Sequence, residues 1–361
     1  MKISRKVWIS ALVVAVVLAA GAYFLLRKAP QLSVVTWSGP YGRAQASALF
    51  IPYQQRSGID VHIGQYDGGL DELRRRVKSK SYGWDVIDFE LPDAVAACRE
   101  GLLEPIDPAA LTDTGDFVPH ALGRCWVGSV VYSQAIAYAP QRFGAARPAT
   151  LADFFDTAKF PGPRGLHGTS PKFNLELALL ADGVAPGDIY KVLSTPQGVA
   201  RALAKLETLG PIVWWTQSSE PAQMLKDGRA AFATILNGDI YDAAAHKNPL
   251  GVIWDRQLYE LDVFGIPKGD PKRDMAMDFI RFATAPESLA RVADWVPYGP
   301  ARRSAVALVT RNPELGTPMR PFLPTAPENF RTPFAVDDAW WQLHGAEAQL
   351  RWQGWQSLRN R

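Results

Sequence analysis

Few residues in this chain are placed to do covalent or metal chemistry. The five histidines, His62, His120, His167, His246 and His344, are dispersed, and no His-Glu-x-x-His pairs two of them on one helical face. There is no Gly-x-Ser-x-Gly elbow for a nucleophile, no Gly-Lys-Ser/Thr phosphate loop, and no Gly-x-Gly-x-x-Gly following a strand. No enzyme, cofactor or metal centre is expected. Two cysteines exclude both a disulfide scaffold and a four-thiolate zinc site. Cys98 and Cys125 lie 27 positions apart. Outside the cytoplasm they would form a disulfide and inside it two buried thiols. The surplus is aromatic, with twelve tryptophans. Trp37, Trp126, Trp214, Trp215 and Trp295, with Tyr41 and Tyr298, fall in or beside predicted loops. An aromatic face attracts a cation and costs little entropy to fix. Most of these rings are expected to fill the core, but Trp37 and Tyr41 share a Gly-Pro loop and point to ligand binding.

The elements that would position these residues alternate. Leu32 to Trp37, Ile59 to Ile63 and Asp85 to Phe89 read as strands, each followed by a helix, over 44–56, 71–80 and 92–100. That rhythm predicts a mostly parallel α/β sheet flanked by helices, with ligands beyond the carboxyl ends of its strands. The loops to watch are therefore 37–42, 66–69 and 90–93. Further strands are predicted at 135–139, 230–236, 252–254 and 262–266. Helices are predicted at 151–157, 174–181, 196–209 and 273–283, the last stopped by Pro286. Residues 164–172 read as a glycine-rich turn region. A proline-dense, extended stretch leads to a final helix from about Asp337.

At 361 residues and 47% hydrophobic, the chain can bury a large core, and two domains are the natural expectation. Residues 7–26 form an uncharged run bracketed by Lys2, Arg5, Lys6 and by Arg27, Lys28. Twenty residues suffice to cross a bilayer core as a helix, so an uncleaved inner-membrane anchor is favoured over a cleaved signal with Ala20-Gly21-Ala22 as its cut site. Either places the remainder in the periplasm. Residues 1–30 hold five of the 39 basic residues and none of the 36 acidic ones, leaving 34 basic against 36 acidic, a net charge of −2. No basic surface remains for nucleic acid.

The strings VVTWSGPYGRAQASALFIPYQQRSGIDVHIGQYDG and WDVIDFELPDAVAACREGLLEPID, with PATLADFFDTAKFPGPRGL, LNGDIYDA, LDVFGIPKGDPKRDMAMDFIRFA and VPYGPARRSA, span nearly all of residues 32–361. They resemble the spermidine/putrescine-binding proteins of ABC transporters, within the extracellular solute-binding proteins. The resemblance implies a type II-like periplasmic binding protein with two α/β lobes and a cleft between them. Residues 1–30 would then be the membrane segment and tether. Residues 31–140 with 262–303 would form lobe one, and 141–261 with 304–361 lobe two, with crossings near 139–141, 261–262 and 303. It further implies a monomer that binds a polyamine or related amine and docks to an ABC permease.

On matching positions the resemblance places Trp37, Tyr41 and Tyr298 as rings around a cationic chain. Asp262 matches a carboxylate that takes an ammonium, and Glu90 lies where polar contacts are common. Asn237, which closes the strand at 230–236, is included among the ligand contacts. The chain departs from the pattern where two further carboxylates are expected, for it reads Thr169-Ser170-Pro171-Lys172 there; Leu236 replaces a tryptophan. A lysine facing the cleft would repel a second ammonium, by about 4 kcal/mol at 4 Å and an effective dielectric of 20. Asp262 and Glu90 would then hold one cationic end, and Lys172, Thr169 and Ser170 a polar or anionic one. A short or modified polyamine, or an amino-containing zwitterion, would fit. A phosphonate or ferric iron is the alternative ligand on the same fold, although iron sites pair tyrosines and no Tyr-Tyr occurs.

Overall fold

The computed structural model describes residues 29–359. The anchor or signal expected over 7–26 lies outside the described residues. Among those described, no helix is long and apolar enough to cross a membrane.

The β-branched runs at the start of the chain form strands β1 (Gln31–Thr36), β2 (Asp60–Gln65) and β3 (Val86–Glu90). They pair in parallel in the order β2-β1-β3. Next come β4 (Val127–Tyr138), β5 (Arg164–His167), β6 (Ile212–Trp215), β7 (Phe232–Leu236) and β8 (Gly251–Gly265). Two-residue strands β9 (Gly299–Pro300) and β10 (Phe334–Ala335) pair with β4 and β8. The main path runs β2-β1-β3-β8-β4-β7-β5-β6. Two parallel groups, β2-β1-β3 and β7-β5-β6, are thus joined through β8 and β4, which run antiparallel to their neighbours on this path. The chain has the two-lobed α/β architecture that the resemblance implies. Its buried apolar residues fall in separate clusters. One joins 32–131 to 259–305, and another joins 136–258 to 334–355.

Several local expectations are corrected. The strands predicted at 252–254 and 262–266 are one strand, β8, and the strand predicted from 135 begins at Val127. Buried polar residues, Ser129, Ser133 and Gln134 in β4 and Gln257, Glu260 and Asp262 in β8, interrupt the apolar pattern that marks a strand. The predicted loop 38–42 is mostly helix. Pro40 sits in the first turn, where its missing N–H costs nothing, and helix continues to Ser57 through a π-helical turn at Ala46–Phe50 just ahead of Pro52. Pro286 likewise opens a second helix, Pro286–Trp295. The turn region 164–172 contains β5, and Trp214 and Trp215 lie in β6 rather than in a loop. The Asn174–Ala181 helix and the final helix, Asp338–Arg359, form where the patterning places them.

Two buried arginines tie loops together. Arg164 donates to the carbonyls of Phe154 and Asp156 at 2.9 and 3.5 Å and to that of Gly162 at 2.5 Å. Arg302 donates to Thr284, Asp113 and Thr112 at 2.6, 3.0 and 2.7 Å. Each also lies over an aromatic ring, Arg164 on Phe232 and Arg302 on Phe117. Cys98 and Cys125 form a disulfide with their Cα atoms 5.8 Å apart. The bond pins the end of helix Leu91–Arg99, whose start follows Glu90, to the segment entering β4. Reduction is expected to cost about 3–4 kcal/mol on the chain-entropy account. Denaturant unfolding with and without a reductant, and of a Cys98→Ser/Cys125→Ser variant, measures that difference.

Candidate functional site

Trp37 follows the last residue of β1, so the strand end places its ring at the mouth of a cleft of ≈ 390 Å³. The helix starting at Gly39 then brings Tyr41 in beside it. The two fit because position 42 has no side chain: a Cβ there would lie 2.2 Å from the carbonyl oxygen of Trp37. The cleft is walled by Trp37, Tyr41, Tyr132 and Tyr298, with Glu90, Asp242 and Asp262 as its carboxylates. The rings meet edge to face, Tyr41 against Tyr298 at 5.4 Å and Trp37 against Tyr66 at 5.0 Å. The indole N–H of Trp37 is buried and has no partner.

Register fixes the carboxylates. In the antiparallel β3–β8 pair Glu90 lies opposite Asp262, while Asp262 is opposite Val130 and Glu260 opposite Tyr132 in the β4–β8 pair. Asp262 is 5% exposed and its Oδ1 accepts no hydrogen bond. Burial, then the nearby charges of Asp88, Glu90 and Glu260, push its pKa well above the usual carboxylate range. Asp88 lies behind Tyr41. Its Oδ2 accepts from Thr36 Oγ1 at 3.0 Å and from Gln45 Nε2 at 2.5 Å, and Gln45 Nε2 also donates to the Tyr41 hydroxyl at 2.9 Å. Burial raises Asp88 to about 7 against those hydrogen bonds. Glu90 is raised by burial and eased back by Lys172. Burial pushes Tyr298 up to about 12, so its phenol stays neutral.

A buried carboxyl with a raised pKa binds its proton more tightly in the folded than in the unfolded chain. The stability this gives is complete below the unfolded pKa near 4 and lost as the pH rises through about 7 for Asp88. The ligand-free protein is therefore expected to melt at a lower temperature at pH 8 than at pH 5. Affinity for a cation should also rise with pH, as Asp262 and Glu90, both held above the ordinary carboxylate range by burial, lose their protons. Melting curves and titrations across that range measure both.

Of the residues singled out in the sequence, Trp37, Tyr41, Glu90, Asp262 and Tyr298 line this cleft. Asn237 does not. Its amide accepts from Ser133 N–H at 2.9 Å and donates to the Pro297 carbonyl at 2.6 Å, and so positions the segment carrying Tyr298. Thr169, Ser170 and Lys172 also lie off its lining. The Thr169 hydroxyl is 2.9 Å from His167 Nε2, and Ser170 Oγ accepts from the Lys172 N–H at 3.1 Å. The Lys172 ammonium is ion-paired with Glu260 and, at 3.0 Å, with Asp338. Trp126, Trp214, Trp215 and Trp295 are not among the lining residues either; Trp214 packs edge-on against Trp352 and Trp355 of the final helix. Sequence reasoning missed Tyr132 and Asp242. Tyr132 is hidden in the long run of β4, and its only signal is the register that sets it beside Glu260. Asp242 lies one turn beyond Gly238, on the helix Asn237–Ala245 that follows β7.

Among the described residues, no group of three or more histidines, cysteines or carboxylates is arranged to hold a metal ion. A ring-lined cleft over a buried, unpartnered carboxylate suits a cationic small molecule.

A family model described as "Bacterial extracellular solute-binding protein" matches residues 48–317. The chain belongs to this family. A γ-aminobutyric acid-binding protein of Pseudomonas aeruginosa is 37% identical over 325 residues, covering 90% of each chain. The putrescine-binding periplasmic protein PotF of Escherichia coli is 22% identical over 85% of this chain and 87% of its own. An ABC transporter substrate-binding protein from Bradyrhizobium japonicum superposes with a TM-score of 0.73 at 28% identity, covering 90% of this chain and 99% of that one. This solute-binding protein is thus a substrate-binding component of an ABC transporter rather than an enzyme, and its family places it outside the cytoplasm.

Proposed function

We propose that the cleft captures a short aliphatic primary amine by its ammonium group and delivers it to an ABC permease. The observation that carries this is Asp262: a buried carboxylate with an unpartnered oxygen, among the residues lining the cleft with Trp37, Tyr41 and Tyr298. An ammonium supplies the missing hydrogen bonds and neutralises the crowded charge, while the rings attract it by about 0.5–2 kcal/mol each. γ-Aminobutyrate is the first ligand to test, because the relative at 37% identity is named for it. A diamine is the second reading, favoured by the likeness to the putrescine-binding PotF and by the lack of a basic residue among those lining the cleft. The uncharged run at 7–26 supports a tether to the inner membrane. Calorimetric titration with γ-aminobutyrate, putrescine, spermidine and butyrate tests the ligand class. At least one amine should bind with heat and saturation, and butyrate, which lacks the ammonium, should not. Failure of all three amines, or equal binding of butyrate, overturns the proposal.

A further inference from the structure

Two carboxylates lie one repeat apart on β8. Asp262 and Glu260 are alternate residues of a regular stretch, so they share a face and sit about 7 Å apart along the strand. Asp262 is open to the cleft. Glu260 is closed off by the Lys172 ammonium, which also holds Asp338 at the start of the final helix. The Glu260 and Asp338 side chains are 6% and 2% exposed, so this is a desolvated acidic pair around one cation. The lysine is held there firmly. Ser170 Oγ receives its N–H, and Asn174 Nδ2 donates to the His167 and Ser170 carbonyls. Phe173, next in the chain, takes φ +72, a conformation a non-glycine residue adopts only when its surroundings enforce it. Burial pulls the lysine pKa down, but Glu260 and Asp338 outweigh it and keep the ammonium charged. Burial and Glu260 push Asp338 up to about 8.

A four-carbon chain with an ammonium at each end would place one on Asp262 and the other toward Glu260 and Asp338. Tyr132, which lines the cleft, lies opposite Glu260, so this ion-paired cluster sits directly behind the lining rather than in it. We propose that the cluster is a second ammonium subsite with Lys172 as its built-in occupant, so that amines bearing one ammonium are accepted and diamines, the second reading above, are rejected. Resting on the amine reading above, this makes Lys172 the residue that sets specificity within the class. Two of the three ammonium donors of Lys172 are used by Glu260 and Asp338, which leaves one for an acceptor at the far end of a ligand. A ligand with an ammonium at one end and a carboxylate at the other suits both ends of such a site.

The experiment is calorimetric titration of γ-aminobutyrate and putrescine into the wild type, Lys172→Met, Lys172→Arg and Lys172→Met/Asp338→Asn. The wild type should prefer γ-aminobutyrate. Lys172→Met should shift the putrescine-to-γ-aminobutyrate affinity ratio toward putrescine by about 10- to 100-fold, the worth of a hydrogen bond to a charged group. Lys172→Arg should keep the wild-type preference, and adding Asp338→Asn should take back most of the gain. If Lys172→Met does not fold alone, refolding is repeated with each amine. Recovery by putrescine but not by γ-aminobutyrate supports the assignment, and recovery by neither overturns it. A wild type that binds putrescine as tightly as γ-aminobutyrate, or a ratio unchanged within threefold in Lys172→Met, also overturns it. A wild type that binds γ-aminobutyrate with no shift in Lys172→Met defeats this inference alone; a wild type that binds neither of these amines nor spermidine defeats the amine reading as well.

Discussion

Asp262→Asn is expected to lower amine affinity by about 100-fold or more while making the ligand-free protein more stable. The two effects have one cause. In the empty cleft Asp262 is buried, lacks a partner at Oδ1, and faces Asp88, Glu90 and Glu260. An uncompensated charge in such a place costs several kcal/mol, which the side chain reduces by holding a proton. An amide of the same shape removes the repulsion, so a gain of about 1–2 kcal/mol in unfolding free energy is expected. The same change removes the charge that an ammonium requires, and a desolvated charge-assisted contact is among the strongest a small ligand makes. Paired melting and titration measurements on one preparation read both. Loss of affinity together with loss of stability would mean that Asp262 holds the fold rather than the ligand. The opposite movement of the two quantities also separates this variant from one that merely unfolds.

Trp352→Ala is expected to destabilise the protein by about 3–5 kcal/mol, the range for truncating a large buried aromatic. Trp352 is fully buried against Trp214 and Trp355, and its indole N–H donates to the Gly168 carbonyl at 3.0 Å. Gln356 reaches the same carbonyl at 2.9 Å, and Gln349 donates to Thr169 O at 3.0 Å. The final helix therefore holds the 168–172 turn from one side, while Asp338 at its other end holds Lys172. Beyond the loss in denaturant midpoint, the variant should lose amine selectivity at temperatures where it is still folded. A conservative Trp352→Phe, which keeps most of the buried area but not the N–H, should recover most of the stability.

The layered α/β fold was legible because β1, β3 and β7 are short apolar runs between clear helices. The long strands were not, and the reason is functional. β8 carries Asp262, which lines the cleft, and Glu260 in its interior, and β4 carries Ser129, which meets the Tyr41 hydroxyl, with Ser133 and Gln134, so polar residues that serve or back the cleft are among those that break strand periodicity. Trp37 and Tyr41 stood out because two rings shared a short segment at a strand end. The setting of Lys172 was not legible. Its partners are 88 and 166 positions away, and only the register of β8 and the docking of the last helix bring them together. Nor could the roles of Trp214 and Trp215 be read, since a tryptophan facing a core and one facing a ligand look alike in a string of letters.

The pairing of β4 and β8 is uneven. Gln134 lies opposite Leu258, but Ile136 lies opposite Ile253, so residues 254–257 are slack against the single residue Ala135. That slack is moored. Asp255 accepts from Leu151 N–H and from the Thr332 hydroxyl, and Gln257 donates to Pro324 O and Asn329 O. Two straps of unequal length that cross side by side do not bend like a plain ribbon. Were the halves to swing about these straps, the shorter would set the pivot and the longer would store or yield length. Loosening the mooring at Asp255 or Gln257 would then alter how long a captured molecule dwells before release, with every contact to that molecule left in place.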